Sequence, residues 1–130
     1  MHIPIDPARP EPIYAQISSG IAEAIVRGEL VPGDSLPSIR ALARDLRVSV
    51  ITTTRAYNEL VSEGLAVGHQ GRGVFVHARA GIELRERAEQ RIRVMLAEAV
   101  RAARIADLPA TELHRLLEDE LTENPPQEKP

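Results

Sequence analysis

Residues 36–65 read LPSIRALARDLRVSVITTTRAYNELVSEGL and carry two apolar stripes at helical spacing. The first stripe predicts a short helix that runs to about Leu46. The second predicts a helix that starts after Ser49, a suitable N-cap, and ends at about Glu63. Only residues 47–49 separate the two helices, so the chain must change direction abruptly. The stretch therefore predicts a helix-turn-helix unit.

The second helix of this unit keeps polar groups off its apolar stripe, close to its start. These groups are Ser49, Thr52, Thr54 and Arg55. Thr53, in contrast, falls on the apolar stripe and is expected to point inward. A helix that buries one face and offers hydroxyls and an arginine from its first turns is suited to lie on DNA. We therefore expect the second helix to be a recognition helix.

A helix precedes this unit and a β-hairpin follows it. Isoleucines at four-residue spacing from Ile13 to Ile25 predict the helix, and Gly28 is suited to end it. Residues 65–67 and 74–76 are β-type runs around a tip that holds three glycines and an arginine. The predicted fold class is mainly α (α+β), a winged helix-turn-helix.

Two further amphipathic helices are predicted between about Ile82 and Thr122. Two helices of this size cover each other only in part, which favours burial against a second copy of the chain over packing on the winged helix. The expected dimerisation residues are Ala88, Ile92, Met95, Leu96, Ala99, Leu113, Leu116, Leu117 and Leu121. We expect a winged-helix domain in residues 1–77, a dimerisation region in residues 78–123 and a disordered tail in residues 124–130.

The composition limits the classes of function. The chain of 130 residues has no cysteine, which excludes a disulfide framework and a thiol nucleophile and is compatible with the cytoplasm. No apolar run approaches the roughly 20 residues that span a bilayer, so no membrane partner is expected. The net charge is −3, yet residues 35–76 hold five arginines against three acidic residues. This local basic balance permits contact with DNA phosphates.

Residues 12–76 resemble the GntR family of bacterial transcription regulators. The resemblance rests on PIYAQI, the G-x-L-x-P-G-D-x-L-P-S spacing of residues 28–38, R-x-L-A of residues 40–43, VSVITTTRAYNEL, SEGL and GRGVFV, in this order. The short helical region after the hairpin is similar to the YtrA-like branch of the family, where such a tail mediates dimerisation. The resemblance implies a dimeric DNA-binding regulator, often a repressor of its own operon, which in this branch commonly includes ABC-transporter genes.

The resemblance also implies a set of DNA contacts. Arg40 matches a family arginine that reaches DNA, and the arginine of the hairpin tip suits a narrow minor groove. The expected contact residues are Arg40, Arg44, Ser49, Val50, Ile51, Thr52, Thr54, Arg55, Gln70, Gly71 and Arg72. Each has a plainer alternative, as a solvated surface, capping or turn residue.

Two positions depart from the family pattern. Val50 and Ile51 stand where many relatives begin the recognition helix with an arginine that reads guanine. An apolar pair contacts thymine methyl groups instead, so we expect an operator core that favours A·T pairs. Arg47 stands where relatives often have glycine, and it costs about 1 kcal/mol if that position needs a positive φ.

Other functions have less support in the sequence. A metal site formed by His69 and His77 is conceivable on the hairpin but has no further ligand pattern, and no catalytic set or nucleotide-binding loop is recognisable. We therefore expect neither an enzyme nor a cofactor or metal, and we leave room for an unidentified small-molecule effector. The alternative is a winged helix that serves as a protein-interaction module without direct operator binding.

Overall fold

The computed structural model of the chain describes residues 1–126, so the last residues of the expected disordered tail lie outside it. The elements of the described part are α1 (Ile13–Val26), α2 (Ile39–Leu46), α3 (Val50–Ser62), β1 (Ala66–His69), β2 (Gly73–Val76), α4 (Ala80–Ile105) and α5 (Ala110–Glu123). This order confirms the predicted winged helix-turn-helix followed by two helices. Among residues 1–126, no helix combines the length and the apolar character needed to cross a membrane.

The core of the winged helix forms where α1 and α2 pack against α3. The isoleucine stripe of α1 is directed inward, since Ile17 and Ile21 are fully buried. α3 contributes Tyr57 and Leu60, which are also buried. Gly28 follows α1 with φ +79°, the left-handed conformation predicted for the residue that ends this helix.

The segment before α1 is not helical, as its prolines predict, and side chains fix it to α1. Ile3 is buried against Gly20, where an added Cβ would lie 2.6 Å from Cγ2 of Ile3. The buried side chain of Gln16 accepts a hydrogen bond from the amide of Asp6. Its amide group donates to the carbonyls of Asp6 and Glu11. The segment is therefore part of the folded unit.

The hairpin predicted from the two β-type runs is present and slightly longer than these runs. β1 pairs with β2 in antiparallel register, with Ala66 opposite Val76. The chain before α2 lies on the other side of β2, where the Leu36 amide donates to the Val74 carbonyl at 2.8 Å. A bridge between Ser35 and Phe75 continues this pairing. Because β2 is hydrogen-bonded on both sides, the hairpin is held to the helix-turn-helix.

The chain divides into two compact units, residues 1–86 and the residues from Arg87 onward. The first unit extends beyond residue 77 because Ala80 is fully buried and Leu84 packs against the same core. α4 accordingly starts before the predicted Ile82. In the second unit, α4 ends at Ile105. The turn that follows contains Asp107, which has φ +54°, and α5 comes after it.

Candidate nucleic-acid interface

The start of α3 exposes the apolar pair that departs from the family pattern. Ile51 is 82% exposed and Val50 is 48% exposed, whereas Thr53 is fully buried. The inward direction expected for Thr53 is therefore confirmed, and its hydroxyl donates to the carbonyl of Ser49 at 3.1 Å. An exposed apolar pair at the start of a helix is unfavourable in water. It can contact thymine methyl groups in a major groove.

The hydroxyls beside this pair are unequally available to DNA. Ser49 caps α3 by accepting from the Thr52 amide at 3.0 Å, and its own hydroxyl donates to Oγ1 of Thr52 at 2.8 Å. Thr54 donates to the Val50 carbonyl at 2.8 Å. Thr54 thus uses its proton within the helix and Ser49 is engaged as the cap, while the bond between the hydroxyls of Ser49 and Thr52 uses only one of their two protons. Thr52 is therefore the hydroxyl best placed to donate to a phosphate.

Arg40 of α2 and Arg72 of the hairpin tip line one surface cavity of about 350 Å³. Ser38, which caps α2 by accepting from the Ala41 amide at 3.1 Å, lines the same cavity. Among residues 1–126, no acidic side chain forms an ion pair with either arginine. Two arginines without counter-charges at one cavity form a positive site that suits a phosphate.

Tyr57 fixes the position of α2 relative to α3. Its hydroxyl donates to the carbonyl of Pro37 at 2.6 Å, across 20 positions of the sequence. Burial raises the pKa of Tyr57 to about 12, so this hydroxyl keeps its proton at neutral pH. The bond joins the middle of the recognition helix to the residue before the α2 cap. It therefore helps to set where Arg40 lies relative to the start of α3.

The turn between α2 and α3 contains a residue in the left-handed backbone conformation. This residue is Arg47, with φ +58° and ψ +45°. The position where relatives often have glycine therefore does need a positive φ. The strain expected for a non-glycine residue is therefore present. Arg44, one turn after Arg40, is exposed, and its Nε lies 3.8 Å from Oδ1 of Asp45.

The hairpin tip is open to solvent. Gln70, Gly71 and Arg72 are exposed, and Gly71 has φ +77°, which a residue with a side chain would rarely adopt. The Arg72 amide donates to the carbonyl of His69 at 2.9 Å and closes the turn. The ring of His69 lies 5.3 Å from that of Phe75, which supports the strand below the tip. The geometry presents one arginine on a narrow tip.

α3 has one arginine, Arg55, which the structure places against α1. The Cζ atom of Arg55 lies 3.9 Å from the centroid of the Tyr14 ring. Tyr14 is the second residue of α1 and is half-buried. This contact joins α1 to the exposed side of α3.

The winged-helix residues match a known family. Residues 13–76 match the model of the gntR family of bacterial regulatory proteins. The chain is 33% identical over 117 residues to the HTH-type transcriptional repressor YtrA of Bacillus subtilis (strain 168), and the match covers 90% of each protein. The chain belongs to the GntR family.

Solved structures of the family agree with the fold. YtrA from Sulfolobus acidocaldarius, a GntR-family transcription factor, has a TM-score of 0.64 and 42% identity, over 75% of this chain and 96% of that one. The AraR DNA-binding domain, solved in complex with operator ORX1, has a TM-score of 0.53 and 32% identity, over 58% of this chain and 98% of that one. The chain is accordingly a DNA-binding transcriptional regulator of the YtrA-like type and not an enzyme.

The second unit carries an apolar groove between α4 and α5. The groove is about 790 Å³ in volume. Five of the expected dimerisation residues line it: Leu96, Ala99, Leu113, Leu116 and Leu117. The other four, Ala88, Ile92, Met95 and Leu121, are exposed outside it. Ala103 is the one buried side chain between Arg87 and Pro126, so the two helices cover little of their own apolar surface.

Two contacts that shape the surface have no direct signal in the sequence. Tyr14 was recognisable only as a residue beside the isoleucine stripe of α1, and its partner lies 41 positions later in the chain. The hydrogen bond from Tyr57 to Pro37 has no signal either, because Tyr57 lies on the apolar stripe of α3, where a side chain is expected to pack in the core. The signal available for Tyr14 was the combination of a ring at a helix start and an arginine on the exposed side of α3.

Proposed function

We propose that the chain is a repressor of its own operon that binds a two-fold operator as a dimer. The observation that carries the proposal is the start of α3. It exposes Val50, Ile51 and the hydroxyl of Thr52 on one edge. Arg40 on α2 and Arg72 on the hairpin tip form no ion pair within residues 1–126. Relatives named as repressors support the direction of control. The family resemblance extends the target to ABC-transporter genes.

In the proposed complex, α3 enters a major groove and the hairpin reaches the adjacent minor groove. Val50 and Ile51 contact thymine methyl groups, which favours A·T pairs at the centre of each half-site. Thr52 and Arg40 bind phosphates and hold the helix in register, with Arg44 nearby. Arg72 enters the minor groove, where the narrow width of A·T-rich DNA strengthens the negative potential.

The proposed dimer forms through the second unit. Leu96, Leu116 and Leu117 are each between 42% and 47% exposed along the apolar groove, and a second copy of the same two helices would bury them. Full burial of an aliphatic side chain contributes about 1.5–3 kcal/mol, so the half that remains is worth roughly half of this for each residue. A dimer also places two recognition helices on two half-sites, which one winged helix cannot do.

The DNA part of the proposal is tested by retardation of the upstream region of the chain's own gene. We expect Arg40→Ala, Thr52→Ala and Arg72→Ala each to abolish retardation at protein concentrations that shift all of the DNA for the wild type. Arg27→Ala is the matched control, since Arg27 is paired with Glu23 and Glu29 at the far end of α1. Binding that does not weaken with salt, or no binding to this region, would favour the protein-interaction alternative.

The dimer is tested separately by sedimentation velocity at micromolar concentration. Leu117→Glu places a charge in the groove, and we expect it to produce monomers and to weaken operator binding without unfolding the winged helix. Thr122→Glu adds the same charge on α5 outside the groove and should leave a dimer. A wild-type chain that sediments as a monomer would refute this part of the proposal.

A further inference from the structure

Arg55 lies on the exposed side of the recognition helix, one helical turn after Ile51. It is held there by α1 and not by a carboxylate. Its guanidinium lies over the Tyr14 ring at 3.9 Å, and among residues 1–126 it forms no ion pair with an acidic side chain. The exposed face of α3 therefore presents a positive charge that the folded chain orients but does not neutralise.

The geometry of this contact leaves the hydrogen-bonding groups of Arg55 available. A guanidinium that stacks on an aromatic ring uses its flat face, because the attraction is between the cation and the negative face of the ring. Its five N–H donors lie in the plane of the group and point away at its edges. A stacked arginine can therefore bind a phosphate with two parallel hydrogen bonds while it keeps its contact with the ring.

The ring is itself fixed. Tyr14 is half-buried and packs against the hydrophobic core of the first unit. α1 is in turn packed on α3. An arginine alone on a helix surface loses much side-chain freedom when it binds, and a fixed ring removes part of that freedom in advance. The arrangement should raise affinity without adding any contact between the ring and DNA.

We propose that Tyr14 is a positioning residue that holds the Arg55 guanidinium ready for a DNA phosphate at the edge of the major groove. This inference rests on the proposed function, since it assumes that α3 lies in the groove. Tyr14 acts through Arg55, so removing the ring should weaken binding only when the arginine is present. The hydroxyl of Tyr14 takes no part in the stacking.

The test uses the full chain and a duplex that the wild type selects from a random-sequence library. Affinity is measured over a range of salt concentrations for Tyr14→Leu, Tyr14→Phe, Arg55→Ala and the double variant Tyr14→Leu/Arg55→Ala. The ring–cation contact predicts that Tyr14→Leu weakens binding by about two- to fivefold per protomer. Tyr14→Phe keeps the ring and should bind as the wild type does.

Arg55→Ala should lower the slope of log K against log salt by about 1 per protomer, because one phosphate contact is lost. In the Arg55→Ala background, Tyr14→Leu should change neither affinity nor slope. Thermal unfolding of each variant shows whether it is folded. If Tyr14→Leu does not fold, Tyr14→Met is measured in its place, since it keeps a long apolar side chain without a ring.

Several results would overturn the inference. If Arg55→Ala weakens binding while Tyr14→Leu does not, the ring has no positioning role and the proposed function stands. The same holds if Tyr14→Leu weakens binding equally without Arg55, or if Tyr14→Phe fails to restore affinity. If Arg55→Ala binds DNA as the wild type does, Arg55 makes no phosphate contact and Tyr14 has nothing to position. If the wild type selects no duplex, the proposed function fails, and the role of Tyr14 fails with it.

Discussion

The backbone strain of Arg47, in the turn that leads into α3, can be tested quantitatively. The residue has φ +58° and ψ +45° between α2 and α3, and its backbone is part of the α2 C-cap. A residue with a Cβ pays about 1–2 kcal/mol in this conformation. Glycine escapes that cost but loses about 0.5–1 kcal/mol through its greater freedom in the unfolded chain. We therefore expect Arg47→Gly to stabilise the chain by about 0.5–1 kcal/mol.

For a domain of this size, such a gain raises Tm by roughly 2–6 °C. Circular dichroism melts at equal protein concentration would measure the shift, so that any dimerisation affects all variants alike. Arg47→Ala is the matched control, because it removes the same charge but keeps the strained conformation. Arg47→Asn should lie between the two, since asparagine tolerates the left-handed region. Backbone strain at Arg47 is refuted if Arg47→Ala stabilises the chain as much as Arg47→Gly, or if Arg47→Gly lowers Tm.

Further predictions concern the packing of the N-terminal segment, the buried tyrosine and the second turn. Gly20→Ala should lower the free energy of unfolding, measured in urea, by about 1–2 kcal/mol, because a Cβ 2.6 Å from Cγ2 of Ile3 displaces that side chain and this cost outweighs the helix propensity of alanine. In an Ile3→Ala background the loss should vanish, and an equal loss there would contradict the contact. The pKa of Tyr57 is raised from 10.0 to about 12, so its contribution to the free energy of unfolding is complete below pH 10 and declines as the pH rises towards 12. Tyr57→Phe should lack this decline. If the stability of Tyr57→Phe falls with pH as that of the wild type does, Tyr57 is not the group responsible. Asp107→Gly, at φ +54°, should raise Tm by less than Arg47→Gly, since aspartate tolerates the conformation better, and a larger rise would contradict this order.

The local elements of the fold could be predicted from the sequence because each depends on a short pattern. The isoleucines of α1 mark one face of one helix, and the predicted cap residue Ser49 lies where the structure uses it. The glycine-rich hairpin tip follows from two β-type runs close together in the chain. The positive φ of Arg47 could be raised as a condition, because relatives often have glycine at this position.

Contacts between distant segments could not be predicted in the same way. Three contacts join positions that no periodic pattern relates. They are the pairing of Ser35 with Phe75, the bonds of Gln16 to the N-terminal segment and the contact of Arg55 with the Tyr14 ring. They depend on how the helices pack in three dimensions.

The direction of a hydroxyl was also beyond the sequence. Thr52 and Thr54 look equivalent in the chain, but only Thr54 donates back to its own helix. A threonine hydroxyl in a helix can bond the carbonyl four residues earlier or point to solvent, and the choice depends on its rotamer. The candidate site could therefore be located from the sequence, while the roles of its individual side chains could not be separated.

The most direct test of the account is the operator sequence itself, obtained by selecting duplexes from a random library with the full chain. The account predicts an inverted repeat, because the proposed dimer would relate two copies of α3 by two-fold symmetry. It also predicts A·T pairs opposite Val50 and Ile51, because the exposed apolar pair matches thymine methyl groups and offers nothing to guanine. Enrichment of a single half-site without symmetry, or of G·C pairs opposite these two side chains, would contradict it.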